Sequence, residues 1–71
     1  MNSAARRTRK TLDLVAYHNE RAALAVMRMA ERMECQVLRG ELLEVIHSLN
    51  QDAADLRQVR QALDVDERRR A

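Results

Sequence analysis

The stretch MECQVLRGEL, residues 33–42, separates two apolar repeats that cannot belong to one straight helix. At about 100° per residue, the stripe before this stretch and the stripe after it would lie roughly 120° apart around a single helix axis. The only glycine, Gly40, lies inside the stretch, and glycine is the preferred residue just past a helix end. The sequence therefore predicts two helices, over about residues 10–38 and 41–66, joined by a tight turn at residues 39–40.

Each repeat has the heptad spacing of a coiled-coil seam. The predicted seam of the first helix is Leu12, Val15, Asn19, Ala22, Val26, Met29 and Met33. The predicted seam of the second helix is Leu42, Ile46, Leu49, Ala53, Leu56 and Leu63, with Arg60 at the remaining heptad position. Asparagine in a seam fixes register or oligomeric state; the alternative for Asn19 is a helix-end or surface residue. The predicted fold is all-α, a coiled-coil-like antiparallel hairpin of two helices.

Two other arrangements compete with a turn at Gly40. The polar cluster at residues 48–52 contains Ser48 and Gln51 at the spacing of a capping box, which favours a turn near Asn50. The second apolar repeat runs through this cluster without a phase break, which favours a continuous helix there. One long, kinked helix is the third arrangement.

The composition is that of long helices. The chain has 71 residues, no proline and one aromatic residue, Tyr17. A chain of this length buries little of its surface, and Cys35, as the only cysteine, permits no intrachain disulfide. A single cysteine and no apolar run of membrane-spanning length favour a cytoplasmic protein without a membrane segment. Twelve arginines against one lysine are typical of a GC-rich bacterial or phage genome.

The first helix carries more apolar side chains than one seam can cover. Leu14, Tyr17, Leu24 and Met27 lie outside the predicted stripe, and soluble monomers rarely expose contiguous apolar surface. A homodimer that forms a four-helix bundle would cover it, as would a complex with another helical protein. We predict these four residues as the contact with a partner protein, with Tyr17 as its anchor.

Positive charge is concentrated at the two chain ends. Residues 1–10 are predicted as a flexible basic arm, residues 11–66 as the hairpin and residues 67–71 as a basic tail. A hairpin would bring both ends to one pole, where nucleic acid or an acidic protein would be attracted. The predicted nucleic-acid contacts are Arg6, Arg7, Arg9, Lys10, Arg68, Arg69 and Arg70. The alternative is a pair of solvated tails that keep the protein soluble.

No residue pattern indicates catalysis, a cofactor or a metal site. The histidines lie far apart at His18 and His47, and Glu44 forms a single Glu-x-x-His motif with His47, whereas di-iron bundles need that motif from two helices and two further glutamates. Cys35 lacks a positioned base and is predicted to be a small, largely buried residue. We predict a non-enzymatic interaction module that binds a larger protein as regulator, inhibitor, adaptor or chaperone-like partner; the alternative is a nucleic-acid-binding hairpin dimer.

Overall fold

Two helices packed side by side form an antiparallel hairpin, which confirms the all-helical hairpin prediction. The computed structural model describes residues 3–70: α1 is Ser3–Glu31 and α2 is Gln36–Arg70. The hairpin is a rod with principal extents of 55 × 16 × 11 Å, as expected for helices of 29 and 35 residues that rise about 1.5 Å per residue. The absence of proline and the many alanine, leucine, glutamate and arginine residues favour such long helices.

The turn lies at residues 32–35, so the predicted turn at residues 39–40 is wrong. The chain leaves α1 through two hydrogen bonds of the 3₁₀ type, each to the residue three positions earlier. The backbone N–H of Arg32 donates to the Met29 carbonyl, and that of Met33 donates to the Ala30 carbonyl, both at 3.1 Å. The Arg39 side chain then donates to the carbonyl of Met33. No residue within 3–70 has a positive φ, and the reversal therefore requires no glycine.

Gly40 lies inside α2, where a Cβ would meet nothing within 4 Å. The alternative turn near Asn50 is also wrong, because α2 continues through residues 48–52 and Gln51 donates to Asp55 one turn later at 3.1 Å. The third alternative, a single long helix, is excluded by the turn at residues 32–35.

The termini are more helical than predicted. Residues 3–10 belong to α1 and residues 67–70 to α2, beyond the predicted helix bounds of about residues 10 and 66; the flexibility of the arm and the tail stays a prediction, and Met1, Asn2 and Ala71 lie outside the described residues. Helix continues because nothing in these segments breaks it, and because Arg9 pairs with Asp64 and Glu67 across the two helices.

The hairpin seam alternates small and larger side chains. Within the described residues the buried apolar side chains are Ala16, Ala23, Ala30, Ile46 and Ala53. Half-buried residues of the seam are Leu12, Asn19 and Val26 on α1, Met33 in the turn, and Leu42, Leu49, Leu56, Arg60 and Leu63 on α2. Small side chains at the contact let two helix axes approach closely, so the three α1 alanines, seven residues apart, determine the fit of the helices.

Three predicted seam positions are therefore wrong for the contact between α1 and α2. Val15, Ala22 and Met29 are exposed in the hairpin, and the residue that follows each of them, an alanine, is buried instead. An alanine side chain has less apolar area than valine or methionine. A prediction based on hydrophobicity therefore favours the row of Val15 and Met29 over the row of alanines that is buried. Whether Val15, Ala22 and Met29 belong to a dimer seam stays a prediction.

Candidate protein-interaction surface

The four residues predicted to contact a partner form an exposed stripe along α1. Leu14, Tyr17, Leu24 and Met27 are between 39% and 54% exposed. Residues three or seven positions apart on a helix are neighbours on its surface, so the four side chains follow one another along an exposed band, whose ends at Leu14 and Met27 differ by about 140° around the axis. We call this band the partner stripe.

Two side chains of α1 lie beside Tyr17 in the partner stripe. Its ring centroid lies 6.0 Å from that of His18, and the guanidinium carbon of Arg21 lies 5.9 Å from the ring centroid. Arginine at this distance from an aromatic ring is attracted to its face. The half-exposed ring presents an amphipathic surface, which suits an interface anchor.

Ion pairs between the helices line one broad face of the hairpin. The Arg57 guanidinium donates to the Glu20 carboxylate at 2.6 and 3.4 Å, and the Nε of Arg60 lies 3.0 Å from both oxygens of Asp13. Arg60 also pairs with Asp64 on its own helix. Because these pairs join residues 37 and 47 positions apart, they hold the helices in register.

The carboxylates raise the pKa of both arginines. For Arg57 the largest cause is its hydrogen bond to Glu20, and for Arg60 its hydrogen bond to Asp13, with charge attraction second in each case. A raised pKa means that the arginine's contribution to stability is complete below its unfolded pKa and is lost only above the folded pKa. The arginine side of these pairs therefore does not respond to pH in the physiological range.

The predicted basic residues do come together at one pole, because both helix ends lie opposite the turn. Carboxylates reduce the net positive charge of this pole, however. The Nε of Arg9 lies 3.6 Å from Asp64, and its Nη1 pairs with Glu67. Lys10, Arg68, Arg69 and Arg70 are exposed.

The residues considered as candidates for catalysis or metal binding do not form a common site in the described part of the chain. Cys35 is an exposed free thiol at the turn, and the prediction that it is largely buried is wrong because it precedes α2 instead of lying inside a helix. Over residues 3–70, no three His, Cys, Asp or Glu side chains are grouped closely enough to hold a metal ion. Neither described helix has a stretch long and apolar enough to cross a membrane.

No protein-family model, curated protein or solved structure matches this chain. Its candidate surfaces are therefore defined by its own geometry alone.

Sequence reasoning missed the ion pairs between the helices, although it contained a signal for them. Asp13 and Glu20 each follow a seam residue of α1, and Arg57 follows one of α2. In an antiparallel pair, residues that follow the seam on both helices face each other along one edge. The pairs were missed because the predicted α1 seam included Val15 and Ala22, which turns Asp13 and Glu20 away from the edge that faces α2.

Proposed function

We propose that this protein is a small, non-enzymatic helical interaction module of the cytoplasm. It dimerises and binds a larger protein as a regulator, inhibitor, adaptor or chaperone-like partner. The observation that carries the proposal is the partner stripe, an apolar band on a helix that α2 leaves uncovered. Amphipathic helices of this kind bind hydrophobic grooves through residues spaced three, four or seven apart.

The partner stripe is tested by charge substitution. Tyr17→Glu and Leu24→Glu should abolish capture of the partner by the tagged protein from its host, as identified by mass spectrometry. Both side chains are about half exposed, so the hairpin should keep its helical circular dichroism. Val37→Glu is the matched control, because Val37 is 71% exposed and lies outside the stripe. Equal capture by all three variants and the wild type would rule out the stripe as the binding surface.

Nucleic-acid binding is the second candidate, and the shared pole of the basic residues favours it. Neutralising each phosphate contact releases counterions, so binding should weaken steeply with salt. Replacing Lys10, Arg68, Arg69 and Arg70 with glutamine should abolish retention of labelled RNA or DNA while leaving protein capture intact. Equal retention by the wild type and this variant would eliminate the basic pole as a nucleic-acid contact.

A further inference from the structure

We propose that a second copy of this chain packs on one broad face of the hairpin, leaving the partner stripe open. This face, called the apolar face, is formed by the residues immediately before a seam residue, which include Val15, Ala22 and Met29 on α1, and Val45, Asp52, Asp55 and Val59 on α2. The inference rests on the dimerisation included in the proposed function and deepens it by assigning the surface and the orientation.

Helix geometry places these residues together. At about 100° per residue, the residue before a seam position and the residue after it project to opposite sides of the helix. In an antiparallel pair, the preceding residues of both helices share one face and the following residues share the other. The Glu20–Arg57 ion pair joins two following residues, so the apolar face is the opposite one. Tyr17 and Leu24 follow buried alanines and thus point away from it.

The apolar face lacks a cover in the hairpin. Its valines and methionine, Val15, Met29, Val45 and Val59, are between 40% and 58% exposed. Near its centre, Asn19 and Leu56 form a shallow groove together with Asp52, Asp55 and Val59. The face therefore combines exposed apolar side chains with the carboxylates of Asp52 and Asp55 near its centre.

The face is large enough for a stable dimer. The rod is 55 Å long and 16 Å wide. A full face therefore offers about 880 Å², compared with the roughly 800 Å² per partner of a stable interface. One copy of the same hairpin matches this length and width along its whole face.

Charge determines how the second copy lies. From Thr11 to Met29 the α1 half of the face has no Asp, Glu, Lys or Arg: its residues are Thr11, Val15, His18, Ala22, Ala25 and Met29. The α2 half has Asp52 and Asp55 near its centre. A two-fold axis along the rod places α1 on the partner's α2 and separates the acids. The other two-fold axis would bury Asp52 and Asp55 against their own copies.

The favoured orientation brings both basic poles to one end. Those charges are exposed, and salt screens exposed charges beyond about 8–10 Å, whereas acids in the centre of an interface are screened much less. The orientation therefore predicts that the two turns, and with them the two Cys35 thiols, also lie at one end of the dimer.

The native cysteine tests the orientation without any substitution. Cys35 is exposed and is the only cysteine, so a spin label can be attached to the wild-type chain. Pulsed electron paramagnetic resonance should give a distance of roughly 20–35 Å between the two labels, since neighbouring helices lie about 10 Å apart and the labels add length. A distance near the 55 Å length of the rod would overturn the orientation.

Charge substitution tests the face. Met29→Glu or Val59→Glu should raise the dimer dissociation constant by about a hundred-fold in sedimentation equilibrium, because each copy then buries an additional charge in the proposed interface. Val37→Glu, with the same charge change outside both surfaces, should leave that constant unchanged. If both face variants dimerise like the wild type, the protein dimerises through a surface other than the apolar face. If the wild type is monomeric, the proposed dimerisation fails together with this inference.

Discussion

At the scale of single residues, Gly40 gives the sharpest test of where the chain turns. It lies in α2 with space for a Cβ, so Gly40→Ala should stabilise the protein by about 0.5–1 kcal/mol by favouring helix. Ala54→Gly, at an exposed position of the same helix, should destabilise it by a similar amount. Urea unfolding followed by circular dichroism measures both. Loss of stability in Gly40→Ala would indicate a turn at residues 39–40.

The alanines of the seam provide a second test at this scale. Ala53 is 1% exposed and its neighbour Ala54 is exposed. Ala53→Leu should cost about 1–3 kcal/mol by forcing the helices apart, whereas Ala54→Leu should change the free energy of unfolding by less than about 0.5 kcal/mol. Equal effects in urea unfolding would show that Ala53 does not lie at a close helix contact.

At the scale of the helices, the Glu20–Arg57 ion pair tests the register. Glu20→Arg should destabilise the hairpin by placing two arginines together, and Arg57→Glu should do the same with two glutamates. The double variant, with the charges exchanged, should recover most of the loss, and the coupling should be small because the pair is exposed. The coupling should shrink in high salt. Additive single effects would mean that α1 and α2 pair in another register.

The sequence predicts the two helices and their seams through the spacing of hydrophobic residues, and it predicts the turn through glycine; the two kinds of pattern succeeded to different extents. The seam of α2 could be read from its heptads because its larger side chains, such as Ile46 and Leu49, lie on the packed side. In α1 the row of Leu12, Asn19 and Val26 could be read in the same way, but the alternate row could not, because Met29 and Val15 are more hydrophobic than the buried alanines beside them. The turn was misplaced because it is closed by hydrogen bonds of the α1 backbone and of Arg39, which leave no glycine signature.

At the scale of the whole molecule, the core of the hairpin is thin. The buried apolar residues within 3–70 are one isoleucine and four alanines, and an alanine contributes little apolar area compared with the roughly 1.5–3 kcal/mol of a buried larger side chain. Small domains with so little core usually depend on disulfides, metals or oligomerisation. In this chain, the proposed dimer would cover exposed apolar side chains on both helices.

A dimer whose folding and association are coupled should melt at a temperature that depends on its concentration. Raising the protein concentration about a hundred-fold favours the folded dimer by roughly 2.7 kcal/mol per mole of dimer, which should raise Tm by roughly 5–10 °C for chains of this size. Thermal unfolding followed by circular dichroism across that range measures the shift. Met29→Glu, which weakens the proposed dimer, should flatten the dependence and melt at a lower temperature, while Val37→Glu should follow the wild type. A wild-type Tm independent of concentration would mean that the hairpin derives its stability from its own seam.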